Sequence, residues 1–245
     1  MMDLRLDDTG FGTIEIYQNP KGFCYGIDAV LLADFAARES KSSGKGQRIM
    51  DLGTGTGIVP LLLSEMTKSD EIAGIEMQQA SYQIAMKNRT HNGLENRLTF
   101  FHRDVKDGPP EGLEGTFDVV TSNPPYTPEN CGIESKNQEK ALARHETTAS
   151  LDDFVRCAAE LLIDKGSFFM VHRPARLVDI CESCRKNKLE PKKIQFISGK
   201  IGEKPNILLV QCIKNGNREL RLLDPIFVHN EDGSYSNEIC RIYHK

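Results

Sequence analysis

Residues 48–57 read Arg48-Ile-Met-Asp51-Leu-Gly53-Thr-Gly55-Thr-Gly57, a short apolar run that closes on an acid and three alternating glycines. The run has the character of a buried strand. Glycines after it let the chain turn sharply and let a ligand lie against the main chain. A dinucleotide-binding turn is spaced GxGxxG, which would put its third glycine at position 58. Position 58 is Ile and the spacing is GxGxG, so a pyrophosphate seat at the next helix is the weaker reading.

Working outward, strand-like and helix-like runs alternate. Strands are expected at 48–53, 71–77, 97–104, 117–123 and 166–172, with two more near 192–198 and 206–213. Helices are expected at 57–67, 79–92, 151–163 and 174–188. This alternation predicts an α/β fold with a doubly wound, mostly parallel sheet covered on both faces. Ahead of it, residues 14–25 read as a hairpin turning at Asn19-Pro20-Lys21-Gly22, and 28–38 as a helix with Asp28 in capping position. After the polar stretch 40–47 the main domain begins, giving an N-terminal extension over 1–47 and a main domain over 48–245.

Two further acids close the next two strands. Glu76 ends the second, where a carboxylate can accept hydrogen bonds from both hydroxyls of a ribose. Asp104 ends the third, within reach of an adenine amino group, and Val105 is placed to pack on the ring. Open α/β sheets bind ligands at the carboxyl ends of their strands. Three acids in succession after a glycine turn therefore point to a nucleoside ligand without a diphosphate.

The fourth strand ends Asn123-Pro124-Pro125-Tyr126. Consecutive prolines fix φ and donate no hydrogen bond, so the turn is stiff and Asn123 is pushed toward extended geometry. A flat amino group with two N–H donors needs two acceptors. The Asn123 side-chain oxygen and the Pro124 carbonyl can supply them, and Tyr126 can stack on a base, a contact worth roughly 1–3 kcal/mol. Accepting both N–H bonds favours a pyramidal nitrogen and stabilises the positive charge that develops when it attacks an electrophile.

The totals bound the rest. With 39% hydrophobic and 27% charged residues the chain can build a core, and no apolar run reaches the roughly 18 residues that span a membrane. The acidic first ten residues lack an apolar signal core, so a cytoplasmic protein is expected. Seven cysteines include one CxxC, Cys181 and Cys184, inside a helical pattern; free thiols are expected, and no metal site. The net charge of −4 is unevenly spread: residues 121–245 carry 19 basic against 17 acidic side chains, and 1–120 carry 12 against 18. Arg185–Lys204 holds seven basic residues, among them Lys186, Lys192, Lys193 and Lys200. Together with Arg144 these are the candidate contacts to nucleic-acid phosphate, while His145 has no necessary part in a proton transfer.

Here the chain resembles the class I, Rossmann-like methyltransferases, over roughly residues 48–213. The resemblance implies S-adenosylmethionine as cofactor and a seven-stranded sheet with its last strand antiparallel. It places Asp51, Gly53, Gly55 and Gly57 around the methionine part, Glu76 on the ribose and Asp104 on the adenine. The tetrapeptide at 123–126 looks like the motif of enzymes that methylate planar amino groups: adenine N6, guanine N2 or the glutamine amide of release factors. The flanks are similar to one family among these, the bacterial N6-methyltransferases of tRNA(Val), which modify the adenine just 3′ of the anticodon. Those flanks are Tyr25-Gly-Ile-Asp28-Ala-Val-Leu-Leu-Ala33, Ala143-Arg144-His145-Glu146, Leu151-Asp152-Asp153 and the tail Asp232-Gly233 to Tyr235-Ser236. This implies tRNA as partner, Asn123, Pro124 and Tyr126 as catalytic residues, and Asp28 packed over the cofactor. A glutamine methyltransferase usually carries a separate N-terminal helical domain, for which 47 residues leave no room. A non-catalytic RNA-binding module with a relict pocket does not account for intact Asp51, Glu76, Asp104 and Asn123.

Overall fold

A sheet runs through the middle of the computed structural model, which describes residues 3–22, 24–40, 46–125 and 149–243. The chain begins with β1 (Arg5–Asp8), β2 (Glu15–Gln18) and helix α1 (Ile27–Glu39). The alternating part follows as β3 (Arg48–Leu52), α2 (Ile58–Met66), β4 (Glu71–Glu76), α3 (Gln79–His91), β5 (Leu98–His102) and β6 (Phe117–Ser122). Then come α4 (Leu151–Leu161), β7 (Leu162–His172), α5 (Leu177–Lys186), β8 (Leu189–Ser198) and β9 (Ile207–Lys214). Two short strands, β10 (Arg221–Leu222) and β11 (Ile226–Phe227), and helix α6 (Asn237–Ile242) close the described chain.

The sheet order is β10-β8-β9-β7-β6-β3-β4-β5, with β11 also on β8. The seven long strands are the expected set, and β9 runs antiparallel to both β7 and β8. The strand count is nine rather than seven, because β10 and β11 add to the edge as two-residue pieces too short to leave a pattern in sequence. Strands β3, β6 and β7 are buried along most of their length on both faces, which is why they read as continuous apolar runs. One face is covered by α1, α2, α3 and α6, the other by α4 and α5.

Two expectations at the N-terminus are corrected. The hairpin is β1 with β2, turning through residues 9–14, where Gly10 and Gly12 have positive φ and the Thr9 hydroxyl donates to the Ile14 carbonyl. Its first strand, Arg-Leu-Asp-Asp, is mostly exposed and charged, so it lacks the apolar alternation that marks a strand. The turn at Asn19 exists, closed by the Gly22 amide on the Asn19 carbonyl, but it leads toward α1 rather than into a second strand. Asp28 is not the cap of α1; Gly26 holds that position and Asp28 lies in the first turn, accepting from the Ala29 amide.

Helix α1 is core rather than appendage. Ala29 through Ala36 are buried in sequence, and they pack in one cluster with α2 and strands β3 and β7. Helix α4 shows the opposite pattern, burying Phe154, Val155, Cys157, Ala158 and Leu161 on one stripe and starting at a capping box between Ser150 and Asp153. All six described cysteines are free; burial pushes the Cys157 thiol up to about 12 and raises that of Cys181.

Candidate active site

The fold sets four chemistry-bearing positions side by side. Strands β5, β4, β3 and β6 are adjacent and parallel, and at or just past their carboxyl ends stand Asp104, Glu76, Asp51 and Asn123 in that spatial order. At ordinary strand spacing the row is about 15 Å across. The chain leaves β3 toward β4 and leaves β6 toward β7, so the connections diverge between β3 and β6. Such a divergence is where open α/β sheets hold a ligand crevice.

The glycine turn forms one wall. Gly53, Gly55 and Gly57 all have positive φ (69°, 58° and 87°), and the Gly53 and Thr54 amides both donate to the Ile75 carbonyl. The three differ in what a side chain would meet. A Cβ at Gly53 would lie 3.1 Å from Phe154, and one at Gly57 would lie 3.0 Å from Phe100; at Gly55 nothing stands within 4 Å. The outer two are packed from below, whereas Gly55 faces open space from which a ligand can approach its backbone.

Asp51 is 2% exposed and accepts a 2.6 Å hydrogen bond from the Thr121 hydroxyl. Burial, aided by the charge of nearby Glu76 and opposed by that hydrogen bond, pushes its carboxyl up to about 7. Glu76 is 7% exposed and gripped at both oxygens, accepting from the Gly55 amide at 2.8 Å and the Gln78 amide at 2.7 Å. Its orientation is therefore preset. Asp104 caps a single 3-10 turn, Val105–Asp107, by accepting from the Lys106 amide at 3.0 Å. Val105 turns inward, 5% exposed, among the core residues under α4, which leaves it little surface to offer a ring. Met77, next to Glu76, is instead the exposed apolar side chain at that end of the row.

Asn123 is half-buried just beyond β6, followed by buried Pro124 and exposed Pro125. The Ser122 hydroxyl donates to the Leu52 carbonyl and so ties this turn to β3. Tyr126, Arg144 and His145 lie outside the described residues.

The basic run does not form one surface. Lys186 pairs with Asp152, Lys193 with Glu39, and Lys192 donates to the Asn217 carbonyl. Lys192 sits near the amino end of β8, at the sheet edge away from the crevice, where Arg185, Lys188 and Arg218 line a cleft of about 470 Å³. Lys200 alone of the four candidate lysines lies beyond the carboxyl end of β8, on the crevice side.

Three supporting residues escaped the sequence reading. Asn88, fully buried in α3, accepts from the Tyr17 amide and donates to the carbonyls of Tyr17 and Thr56, bracing the glycine turn against the hairpin. Thr121 sets Asp51. His172 ends β7 and accepts from the Arg173 amide at Nδ1; burial and then the neighbouring Arg176 lower its pKa to about 4, so it is neutral at pH 7. A lone Asn within a helix, a Thr within a strand and a His at a strand end carry no signal that separates them from ordinary positions.

Among the described residues no cluster of three His, Cys, Asp or Glu could hold a metal, and no helix is long and apolar enough to cross a membrane.

Fold and site together define a Rossmann-like α/β protein with a row of polar side chains at the carboxyl ends of its parallel strands. A methyltransferase-domain family profile matches residues 43–209, and the chain belongs to that family. Among curated relatives, the tRNA1(Val) (adenine(37)-N6)-methyltransferase of Porphyromonas gingivalis strain W83 is 26% identical over 96% of this chain and 93% of its own. The protein of the same name from Aliivibrio salmonicida is 25% identical over 90% and 89%. Two solved structures share the fold. A predicted O-methyltransferase from Agrobacterium tumefaciens superposes with a TM-score of 0.69 at 20% identity, covering 89% of this chain and 95% of its own. The T. Thermophilus 16S rRNA N2 G1207 methyltransferase, solved with AdoMet and guanosine, superposes at 0.61 and 20% identity, over 86% of this chain and 50% of its own.

Proposed function

We propose that this protein is an S-adenosylmethionine-dependent methyltransferase that modifies N6 of an adenine in tRNA, the adenine just 3′ of the anticodon of tRNA(Val). The observation that carries the reading is the spatial row Asp104, Glu76, Asp51, Asn123 across four adjacent strand ends, in a chain whose curated relatives bear that activity over nearly their whole length. The residues fit the cofactor: Gly55 leaves open space at its missing Cβ, and Glu76 is preset by two backbone amides. In this reading Asp104 holds the adenine amino group, Glu76 the ribose hydroxyls, and Asp51 with the glycine turn the methionine end. The extension over 1–47, with Asp28 in the first turn of α1, packs over that half.

When bound, the cofactor supplies an electrophilic methyl group. The chain's own residues supply position and charge. The Asn123 side-chain oxygen and the Pro124 carbonyl accept the two N–H bonds of the target amine, which frees the lone pair and stabilises the charge developing on nitrogen. Tyr126 stacks on the base and holds it in line. Such an enzyme works in the cytoplasm beside its tRNA.

The test is incubation of the pure protein with radiolabelled S-adenosylmethionine and total bacterial tRNA, followed by digestion to nucleosides and mass spectrometry. The expected product is N6-methyladenosine. Label in methylguanosine, or incorporation only into protein, would replace the substrate proposed here.

A further inference from the structure

The basic run that sequence offers as a phosphate-binding surface is taken apart by the fold, and a different surface takes its place. Strands β6, β7, β9 and β8 are neighbours, so the loops leaving β7 and β8 stand on the crevice edge next to Asn123, on the side away from Glu76 and Asp104. The loop after β7 carries Arg173 and Arg176. The loop joining β8 to β9 carries Lys200 and Lys204, which enter no ion pair among the described residues. A 2.9 Å hydrogen bond from the Arg173 guanidinium to the Asn206 carbonyl ties the two loops into one rim. Among the described residues the acidic neighbours are Asp179, which pairs with Arg176, Glu203, which lies between the lysines, and Asp232, which lies within the field of Lys200. Two branched aliphatic side chains stand out of the same rim into solvent, Val178 at 75% exposure and Ile201 at 67%.

We infer that this rim, formed by Arg173, Arg176, Lys200 and Lys204 with Ile201 at its crest, is where the sugar–phosphate backbone of the RNA substrate docks. The inference rests on the reading of the crevice as an RNA methyltransferase site and adds the direction of approach. The cofactor half of the crevice lies on one side of Asn123 and the cationic rim on the other. A nucleotide turned out of a loop enters between them while the flanking phosphates lie on the rim. The chain as a whole carries a net −4, so attraction to a polyanion has to come from a local concentration of positive charge. The exposed aliphatics suit the apolar faces of bases and sugars at such a contact.

The measurement is filter binding of an unmodified tRNA(Val) transcript at several salt concentrations. It compares wild type with Lys200→Gln/Lys204→Gln and with Lys188→Gln/Arg218→Gln, a pair on the far edge of the sheet. Each phosphate contact on single-stranded nucleic acid contributes about 0.7 to the slope of log K against log salt, so the rim pair is expected to lower that slope by about 1.4. Its affinity should fall about tenfold at 0.1 M salt, while calorimetry with S-adenosylhomocysteine gives the wild-type constant and so certifies the fold. The far-edge pair should bind tRNA as wild type does. An unchanged slope in the rim pair, or an equal loss in the far-edge pair, overturns the inference. Wild-type protein that binds tRNA through the rim but methylates no adenine overturns the proposed function alone. Normal methylation of adenine together with an unchanged rim-pair slope overturns the rim alone.

Discussion

A carboxyl group shut away from water keeps its proton to higher pH, and Asp51 does so to about pH 7. Without cofactor the folded chain holds a proton that the unfolded chain, with this group near 3.8, has already released. Stability therefore falls as pH rises through the window from about 4 to about 7, by at most on the order of 4 kcal/mol. Asp51→Asn removes this loss, and its thermal midpoint without cofactor is expected to exceed that of wild type at pH 8 and to match it near pH 4. Equal midpoints at pH 8 would mean that Asp51 is ionised at no cost in the folded chain. Asn123 acts on a different quantity. In the proposed mechanism it meets the target amine rather than the cofactor, so Asn123→Ala should leave S-adenosylhomocysteine affinity nearly intact and reduce single-turnover methylation about 10²–10³-fold. Methylation of adenine at close to the wild-type rate would make the Asn-Pro-Pro turn structural only.

At the level of elements, α1 is bound to the far edge of the sheet by a polar seam at its carboxyl end. Arg38 bridges Asp34 and Gln195, Lys193 meets Glu39, and the Gln211 amide donates to the Glu39 carbonyl. Lys193 is thus committed to holding a helix. Lys193→Glu sets two carboxylates against each other there and is expected to cost about 1–3 kcal/mol in urea denaturation. The salt dependence of tRNA binding should not change. A flattened slope with undiminished stability would return Lys193 to the list of phosphate contacts. Packing between elements also explains a glycine with an ordinary backbone. A Cβ on Gly74 of β4 would lie 2.9 Å from Phe100 and 3.0 Å from Thr54, so the strand needs space there to let the glycine turn sit down on it.

Across the whole molecule the two halves of the sheet divide the work. The strand ends of β3, β4 and β5 carry two buried acids and Asp104. The ends of β7 and β8 carry the exposed Arg173, Lys200 and Lys204, and Asn123 stands on the boundary at β6. The uneven spread of charge along the chain is consistent with this, since the acidic excess lies in residues 1–120. Position along the chain, however, misassigns individual lysines. Strand β8 alone is ten residues long, so a basic run through it reaches both edges of the sheet, about 30 Å apart.

The parallel sheet, its seven long strands, the glycine turn and the row of strand-end residues were legible in sequence by itself. Each rests on a local rule: apolar runs of strand length, glycine where φ must be positive, and side chains placed by the end of the strand they follow. The first hairpin strand and the two short edge strands were not, because charged or two-residue strands are held by pairing to distant segments rather than by a pattern of their own. Whether Lys193 or Lys200 faces the crevice, what orients Asp51 and Glu76, and why Val105 turns inward were decided only in the tertiary structure. Those outcomes depend on partners such as Glu39, Thr121, Gly55 and Phe154, which lie far away in sequence and are brought close by strand order, and no local run of residues encodes that proximity.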